Sequence, residues 1–365
     1  MRPVMIMAGG TGGHVFPALA VAKELRQRGV PIVWVGTANG IEADVVPAAG
    51  LRLIHMRIQG LRGKGKLQLL KAPFLLARAM AEAFVIVLRE RPQTLLGMGG
   101  FVAGPCALAA SLLRMPLVIH EQNATVGLTN RLLAPLATTF FSGFDLTQSN
   151  AKAVHCCNPV RSEMLSLPTP DERYAGRTEE RRILIIGGSI GARGLNQLLP
   201  ISLAAIEQAQ TLEIWHQTGK QQIDEVSQVY KDKGLKARVT PFIEDMAAAY
   251  AWADLLICRS GAMTLAEIAS VGLPAVLVPY PHAVDDHQTS NANSFVRIGA
   301  AYLMQERDTT AEQMSALLSK LISKPEQLLA MANAAYSLRR ADAVTMLADS
   351  CQHGGGSPAS AGGLR

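Results

Sequence analysis

Residues 4–25 read VMIMAGGTGGHVFPALAVAKEL. Val4 to Met7 form an apolar run of strand character. Val15, Leu19, Ala22 and Leu25 then recur on one face at helical spacing. Four glycines, Thr11 and His14 therefore stand where a buried strand turns into a helix. Backbone N–H groups point outward at such a junction and suit an anion. The missing Cβ atoms let a ligand approach the main chain. A helix N-terminus favours a neutral imidazole, the form that a general base needs, so His14 is a candidate base. A capping or packing role is the other reading of this residue.

The same strand–turn–helix grammar returns along the chain. Apolar runs end in glycine-rich turns near residues 9, 97 and 187, each followed by a helical pattern. Repeated units of this kind predict an α/β protein with parallel sheets and crossover helices. Further strands are expected at Thr211–His216, Arg238–Phe242, Leu255–Cys258 and Ala275–Pro279, with a helix at Met246–Trp252 and helical structure over 309–350. Residues 168–182, PTPDERYAGRTEERR, read as a loop between two halves. The expected organisation is one domain over 1–160, a second over 161–340, a terminal helix over 341–350 and a disordered tail over 351–365.

None of the turns carries the lysine of a phosphate loop. None completes Gly-x-Gly-x-x-Gly either: Val15 and Val102 stand where the third glycine belongs, which disfavours a dinucleotide. No Asp-x-Asp occurs in the chain, and the His282–Gln288 run matches no standard zinc spacing. No metal and no cofactor are expected. A diphosphate would have to be met by cations and helix N-termini.

The net charge of +6 is concentrated. Residues 57–91 hold eight basic side chains against Glu82 and Glu90, which accounts for the whole excess. Lys64, Lys66 and Lys71 alternate there with Leu69, Leu70, Phe74 and Leu75. Cations beside aliphatic side chains suit an anionic membrane surface; an ordinary helix with a solvated basic face is the alternative. Lys71, Arg78 and Glu82 interrupt any membrane-spanning window. Nucleic acid is not an expected partner, because only Phe74 and Phe84 there could stack on bases. Five cysteines without paired spacing read as reduced thiols, and the N-terminus shows no signal-peptide pattern.

Two more segments carry polar chemistry. MPLVIHEQNATVGLTN, from Met115, takes a buried strand straight into His120, Glu121, Gln122 and Asn123. In open α/β sheets the carboxyl end of a strand is where ligands bind; a polar turn is the plainer reading. Ser260 to Glu267 opens another helix. Thr264 and Glu267 have the spacing of a capping box, while a carboxylate at Glu267 could equally hold a ribose diol.

MAGGTGGHVFPALA, IQGLRGKG, LGMGGFVAGP, HEQNATVGLTN, NPVR, GGSIGAR, CRSGAMTLAEIA and DDHQTSNA occur in this order. Together they closely resemble the MurG family, the N-acetylglucosaminyltransferases that convert lipid I to lipid II in peptidoglycan synthesis. The resemblance spans residues 1 to about 350. It implies a GT-B architecture of two Rossmann-like domains facing a cleft, and inverting transfer from UDP-GlcNAc to the C4 hydroxyl of the muramyl sugar. It assigns donor contacts to Thr11, Gly12, Gly13, Asn123, Arg161, Ser189, Ile243, Ala262, Met263, Thr264, Leu265, Ala266, Glu267 and Gln288. Ile243 would lie by the uracil, Glu267 on the ribose, and Arg161 and Ser189 on the diphosphate. His14 is the favoured base and Glu121 a second candidate. The implied partners are UDP-GlcNAc, lipid I, anionic inner-leaflet lipids and other cell-wall synthesis and division proteins. The implied location is the cytoplasmic face of the inner membrane. A nucleotide-sugar epimerase on the same fold and an inert sugar-nucleotide-binding recruitment subunit are the competing readings.

Overall fold

The computed structural model describes residues 1–58, 66–146, 153–177, 181–188, 191–207 and 209–356, with the backbone alone for 66–72 and 284. It divides into two compact units, residues 1–161 with 340–365, and residues 162–339.

The first unit is built on β1 (Val4–Met7), β2 (Ile32–Gly36), β3 (Arg52–His55), β4 (Thr94–Gly97), β5 (Leu117–Glu121), β6 (Thr139–Ser142) and β7 (Val154–His155). All pair in parallel, in the order β3-β2-β1-β4-β5-β6-β7. Alternation along β1 sends Val4 and Ile6 to one face and Met5 and Met7 to the other, and both faces are covered. Val15, Ala18, Val21, Ala22 and Leu25 of the helix Gly12–Gln27 pack with Val4 and Ile6. Ala83, Ile86 and Val87 of the helix Lys66–Glu90 pack with Met5 and Met7, together with Ala103, Cys106 and Ala107 of the helix Ala103–Leu112.

The second unit repeats the plan with β8 (Arg181–Ile186), β9 (Leu212–Gln217), β10 (Ala237–Thr240), β11 (Leu255–Cys258), β12 (Ala275–Leu277) and β13 (Ala301–Leu303). Its parallel order is β10-β9-β8-β11-β12-β13. β10 stops two residues short of the expected end because Pro241 has no N–H to donate. Ala275–Leu277 likewise ends before Pro279. The helical stretch over 309–350 is three helices, Ala311–Ile322, Pro325–Tyr336 and Ala343–Gln352. Pro325 starts the second of them at its first position, where no N–H is required.

The C-terminal helix differs from expectation. It belongs to the first unit and continues to Gln352 rather than stopping at 350. Cys351, expected in a disordered tail, is fully buried with Leu347 and Ala348 against the helix Gly12–Gln27. Arg28 Nη1 reaches Asp349, and the Thr139 hydroxyl donates to the Gly355 carbonyl. Burial against a neighbouring helix overrides the tail's low complexity as far as Gly356; residues 357–365 lie outside the described residues. All five cysteines are free thiols.

Candidate active site

In both sheets the chain reverses its winding at one pair of strands, β1/β4 in the first and β8/β11 in the second. The carboxyl ends of such a pair form the crevice in which open α/β sheets bind ligands. The glycine-rich turns sit at those ends.

In the first unit, Thr11 is the N-cap of the helix Gly12–Gln27, with extended backbone and no side-chain cap bond. Its Oγ1 instead lies 3.3 Å from His14 Nδ1. With the proton on Nδ1, His14 donates to Thr11 and Nε2 is the acceptor nitrogen of the ring. The turn after β4 backs the ring. A Cβ on Gly99 would lie 2.9 Å from His14 Nε2, and one on Gly100 would lie 2.7 Å from the Gly9 carbonyl. Both glycines have positive φ. These two turns can pack against each other only where side chains are missing.

Glu42 underlies the first turn and was not anticipated from the sequence. It is fully buried. Its carboxylate accepts the N–H of Gly10 at 3.0 Å, the N–H of Thr37 at 2.9 Å and the hydroxyl of Thr37 at 2.7 Å. Burial by itself raises a carboxyl pKa, but the bonds from Thr37 and Gly10 outweigh it and hold Glu42 below its ordinary value. The Gly10 N–H is thereby used internally, so the turn is a weaker anion cradle than its four glycines suggest. The clue available in the sequence was Gly36 and Gly40 flanking an acidic helix start, a pattern usually read as helix-dipole complementation.

Glu121, at the end of β5, is also buried. Its oxygens accept from the Asn123 N–H (3.1 Å), Asn123 Nδ2 (3.2 Å), the Gly127 N–H (3.0 Å) and Asn130 Nδ2 (2.9 Å). A carboxylate so engaged by its own loop suits holding Asn123 in place better than taking a proton. His120 is buried between the Cys157 carbonyl (3.0 Å) and Gln122 Nε2 (3.1 Å). Burial pushes it down to about 4, so it stays neutral. Arg161 is exposed at the end of this unit.

In the second unit, the turn after β8 is set by Gln217. Its Oε1 accepts the Gly187 N–H at 3.2 Å and its Nε2 donates to the Gly188 carbonyl at 2.9 Å. The helix Arg193–Ala204 that follows has no side-chain cap at its N-terminus. Ser189 falls outside the described residues. After β11, Gly261 is the N-cap of the helix Ala262–Val271, again without a side-chain cap. The capping-box reading of Thr264 and Glu267 therefore does not hold, since Thr264 is already the third residue of the helix. Glu267 instead accepts the Tyr250 hydroxyl at 2.9 Å, and Tyr250 is buried. Ala262, Met263, Thr264 and Ala266 lie on the same first turns, while the Leu265 side chain is fully buried in the unit's interior. Gln288 Oε1 accepts the Tyr280 N–H at 2.9 Å and its carbonyl accepts the Ser260 hydroxyl at 2.8 Å. Ile243 is buried between β10 and the helix Met246–Trp252.

Of the expected membrane-contact residues, Lys64 lies outside the described residues, and the side chains of Lys66, Leu69, Leu70 and Lys71 are likewise not described. Phe74 is 73% exposed, and Leu75 and Leu76 beside it are exposed too. Leu108 and Leu112 are exposed on the helix Ala103–Leu112, which packs against Lys66–Glu90. Among the described residues no helix is long and apolar enough to cross a membrane.

Comparison with known proteins agrees with this fold. Residues 4–142 match the glycosyltransferase family 28 N-terminal domain and residues 182–347 its C-terminal domain. A protein of Alkalilimnicola ehrlichii is 49% identical over 349 residues, covering 96% of this chain and 98% of its own length. One of Azotobacter vinelandii is 51% identical over 352 residues, covering 95% and 97%. Both are named UDP-N-acetylglucosamine--N-acetylmuramyl-(pentapeptide) pyrophosphoryl-undecaprenol N-acetylglucosamine transferase. The crystal structure of Acinetobacter baumannii MurG superposes with a TM-score of 0.85 at 39% identity, over 97% of this chain and 100% of that one. The calicheamicin glycosyltransferase CalG4 shares the fold at 15% identity, with a TM-score of 0.67 over 97% of this chain and 98% of its own.

Proposed function

The chain belongs to glycosyltransferase family 28, in its MurG family with the GT-B fold, and from that we propose that it transfers N-acetylglucosamine from UDP-GlcNAc to the C4 hydroxyl of the muramyl sugar of lipid I, with inversion, giving lipid II and UDP. The observation that carries this reading is near-half identity to transferases of that name over almost the whole chain.

In this reading the C4 oxygen attacks the anomeric carbon of the donor sugar as the bond from that carbon to the diphosphate breaks. His14 Nε2 takes the hydroxyl proton, and UDP leaves with the bonding electron pair. Support for His14 as base comes from its Thr11 partner at Nδ1 and from the side-chain-free backbone beside Nε2. Arg161, Ser189 and the N-terminus of Arg193–Ala204 meet the charge that develops on the diphosphate, so the reaction needs no metal. Tyr250 orients Glu267 toward a ribose diol. Thr11 to Gly13, Asn123, Ile243, Ala262 to Ala266 and Gln288 complete the donor contacts. Lipid I brings a polyprenyl chain, and the exposed apolar residues from Phe74 to Leu76, beside the cations of the same segment, suit a peripheral stand on the anionic cytoplasmic face of the membrane.

The test supplies the purified chain with labelled UDP-GlcNAc and a lipid I analogue. Label in the lipid-linked disaccharide, with UDP released in equal amount, is the expected result. Interconversion of UDP-GlcNAc without acceptor would mark an epimerase, and binding without turnover an inert subunit.

A further inference from the structure

Three glycines surround the Glu42 carboxyl group. A Cβ on Gly9 would lie 2.5 Å from Glu42 Oε1, one on Gly36 2.7 Å from Glu42 Cγ, and one on Gly40 would run into the carboxylate itself. Gly9 belongs to the turn after β1, Gly36 is the last residue of β2, and Gly40 lies in the stretch that follows it. The sequence has thus vacated three positions at the ends of two strands to admit one buried charged group. That group is bonded to Gly10 on one loop and twice to Thr37 on the other. Hydrogen bonds to an ionised group are about twice as strong as neutral ones. The indole of buried Trp34 adds a further tie, from Nε1 to the Ala8 carbonyl at 2.9 Å. Gly10 has φ of +92°, and Thr11, next along the chain, holds His14. Glycine at positive φ supplies no rigidity of its own. An external tether must therefore set the direction in which Thr11 and His14 leave the turn.

We infer that Glu42 is a positioning residue for the transfer reaction: its carboxylate fixes the Gly9–Thr11 turn and, through Thr11, the approach of His14. The inference rests on the reaction proposed above. Glu42 touches no substrate in it, and its effect belongs in kcat rather than in nucleotide affinity.

The experiment uses the full chain. Glu42→Gln keeps the side chain's volume but turns one acceptor oxygen into a donor, so Gly10 or Thr37 loses its partner. Expected are a fall in kcat of at least about tenfold, a UDP dissociation constant within about twofold of the parent, and partial recovery in Glu42→Asp. Amide hydrogen exchange at Gly10 and Thr37 should be slow in the parent and at least about tenfold faster at one of them in Glu42→Gln. Gly40→Ala, which displaces the carboxylate without touching the turn after β1, should lower kcat in the parent and add nothing to Glu42→Ala. It also serves if Glu42→Gln fails to fold. Full kcat in a folded Glu42→Gln overturns the inference, as does additivity of Gly40→Ala with Glu42→Ala. Absence of transfer by the parent chain would instead refute the reaction, and unchanged exchange at both amides would then refute the tether by itself.

Discussion

The absent side chain of Gly99 and the ring of His14 occupy adjoining space: a Cβ at position 99 would lie 2.8 Å from His14 Cδ2 and 2.9 Å from Nε2. Gly99 also has φ of +97°, where any other residue is strained. Gly99→Ala should push the imidazole off its site. Misplacement on the order of an ångström costs about 100-fold in rate. Steady-state kinetics should show kcat reduced by about that factor, with UDP affinity kept. An unchanged kcat would detach this contact from catalysis.

His14→Ala removes the proposed base outright. The expected loss in kcat is about 100-fold or more, the usual scale for general base catalysis, with UDP binding nearly intact. Near-parental turnover would take His14 out of that role.

In the proposed reaction Tyr250 acts on the donor through Glu267, which accepts its hydroxyl. Tyr250→Phe deletes one hydrogen bond and leaves the packing of a buried ring unchanged. Loss of about 1 kcal/mol, roughly fivefold in donor KM, is expected, with kcat little altered. Calorimetric titration of UDP gives the same comparison without turnover; equal affinities would show that the hydroxyl does not orient Glu267.

Membrane contact is tested on both its components. Phe74→Ser with Leu76→Ser should weaken sedimentation with anionic vesicles and leave the thermal midpoint in place, because both side chains are exposed. Reversing Lys64, Lys66 and Lys71 to Glu should cost about 1 kcal/mol for each charge near the surface. Unaltered sedimentation in both variants would move the lipid-facing surface elsewhere.

Two buried histidines make stability depend on pH. Burial lowers His120 to about 4 and His216 to about 3, from the ordinary 6.5. His216 is held neutral between Tyr230 and Asn196. Each folded-state pKa lies below the unfolded one, so the unfolded chain binds more protons. The stability from neutral burial is complete above pH 6.5 and is lost as pH falls toward 4. Each such histidine contributes a slope of about 1.4 kcal/mol per pH unit once below 6.5. Denaturant midpoints should drop between pH 7 and pH 5; a level profile there would contradict the burial of these rings.

Much of the chain's plan was readable in order along it. The β11 strand, the helices at Met246–Trp252 and Ala262–Val271, and the three glycine-rich turns follow from apolar runs, helical periodicity and glycine placement, which are local signals. What escaped was contact between distant segments. Glu42 lies more than thirty residues from the turn it tethers, and Tyr250 well before the carboxylate it orients. Thr264 and Glu267 have the spacing of a capping box, yet the helix begins at Ala262, so spacing alone did not decide between the two readings of Glu267. Cys351 looked like the start of a loose tail because composition reports only local cost. Its burial is decided by a helix more than three hundred residues earlier.

The sequence by itself determined the doubly wound α/β class and the positions of the turns, because strand and helix periods and glycine's backbone freedom act within a few residues. Only the tertiary structure decided what those turns rest on. Glu42 holds one of them, Gln217 another, and Gly99 makes room for the His14 ring. A buried charge or an excluded Cβ takes its meaning from neighbours that the fold, and not the order of the chain, brings within hydrogen-bonding distance.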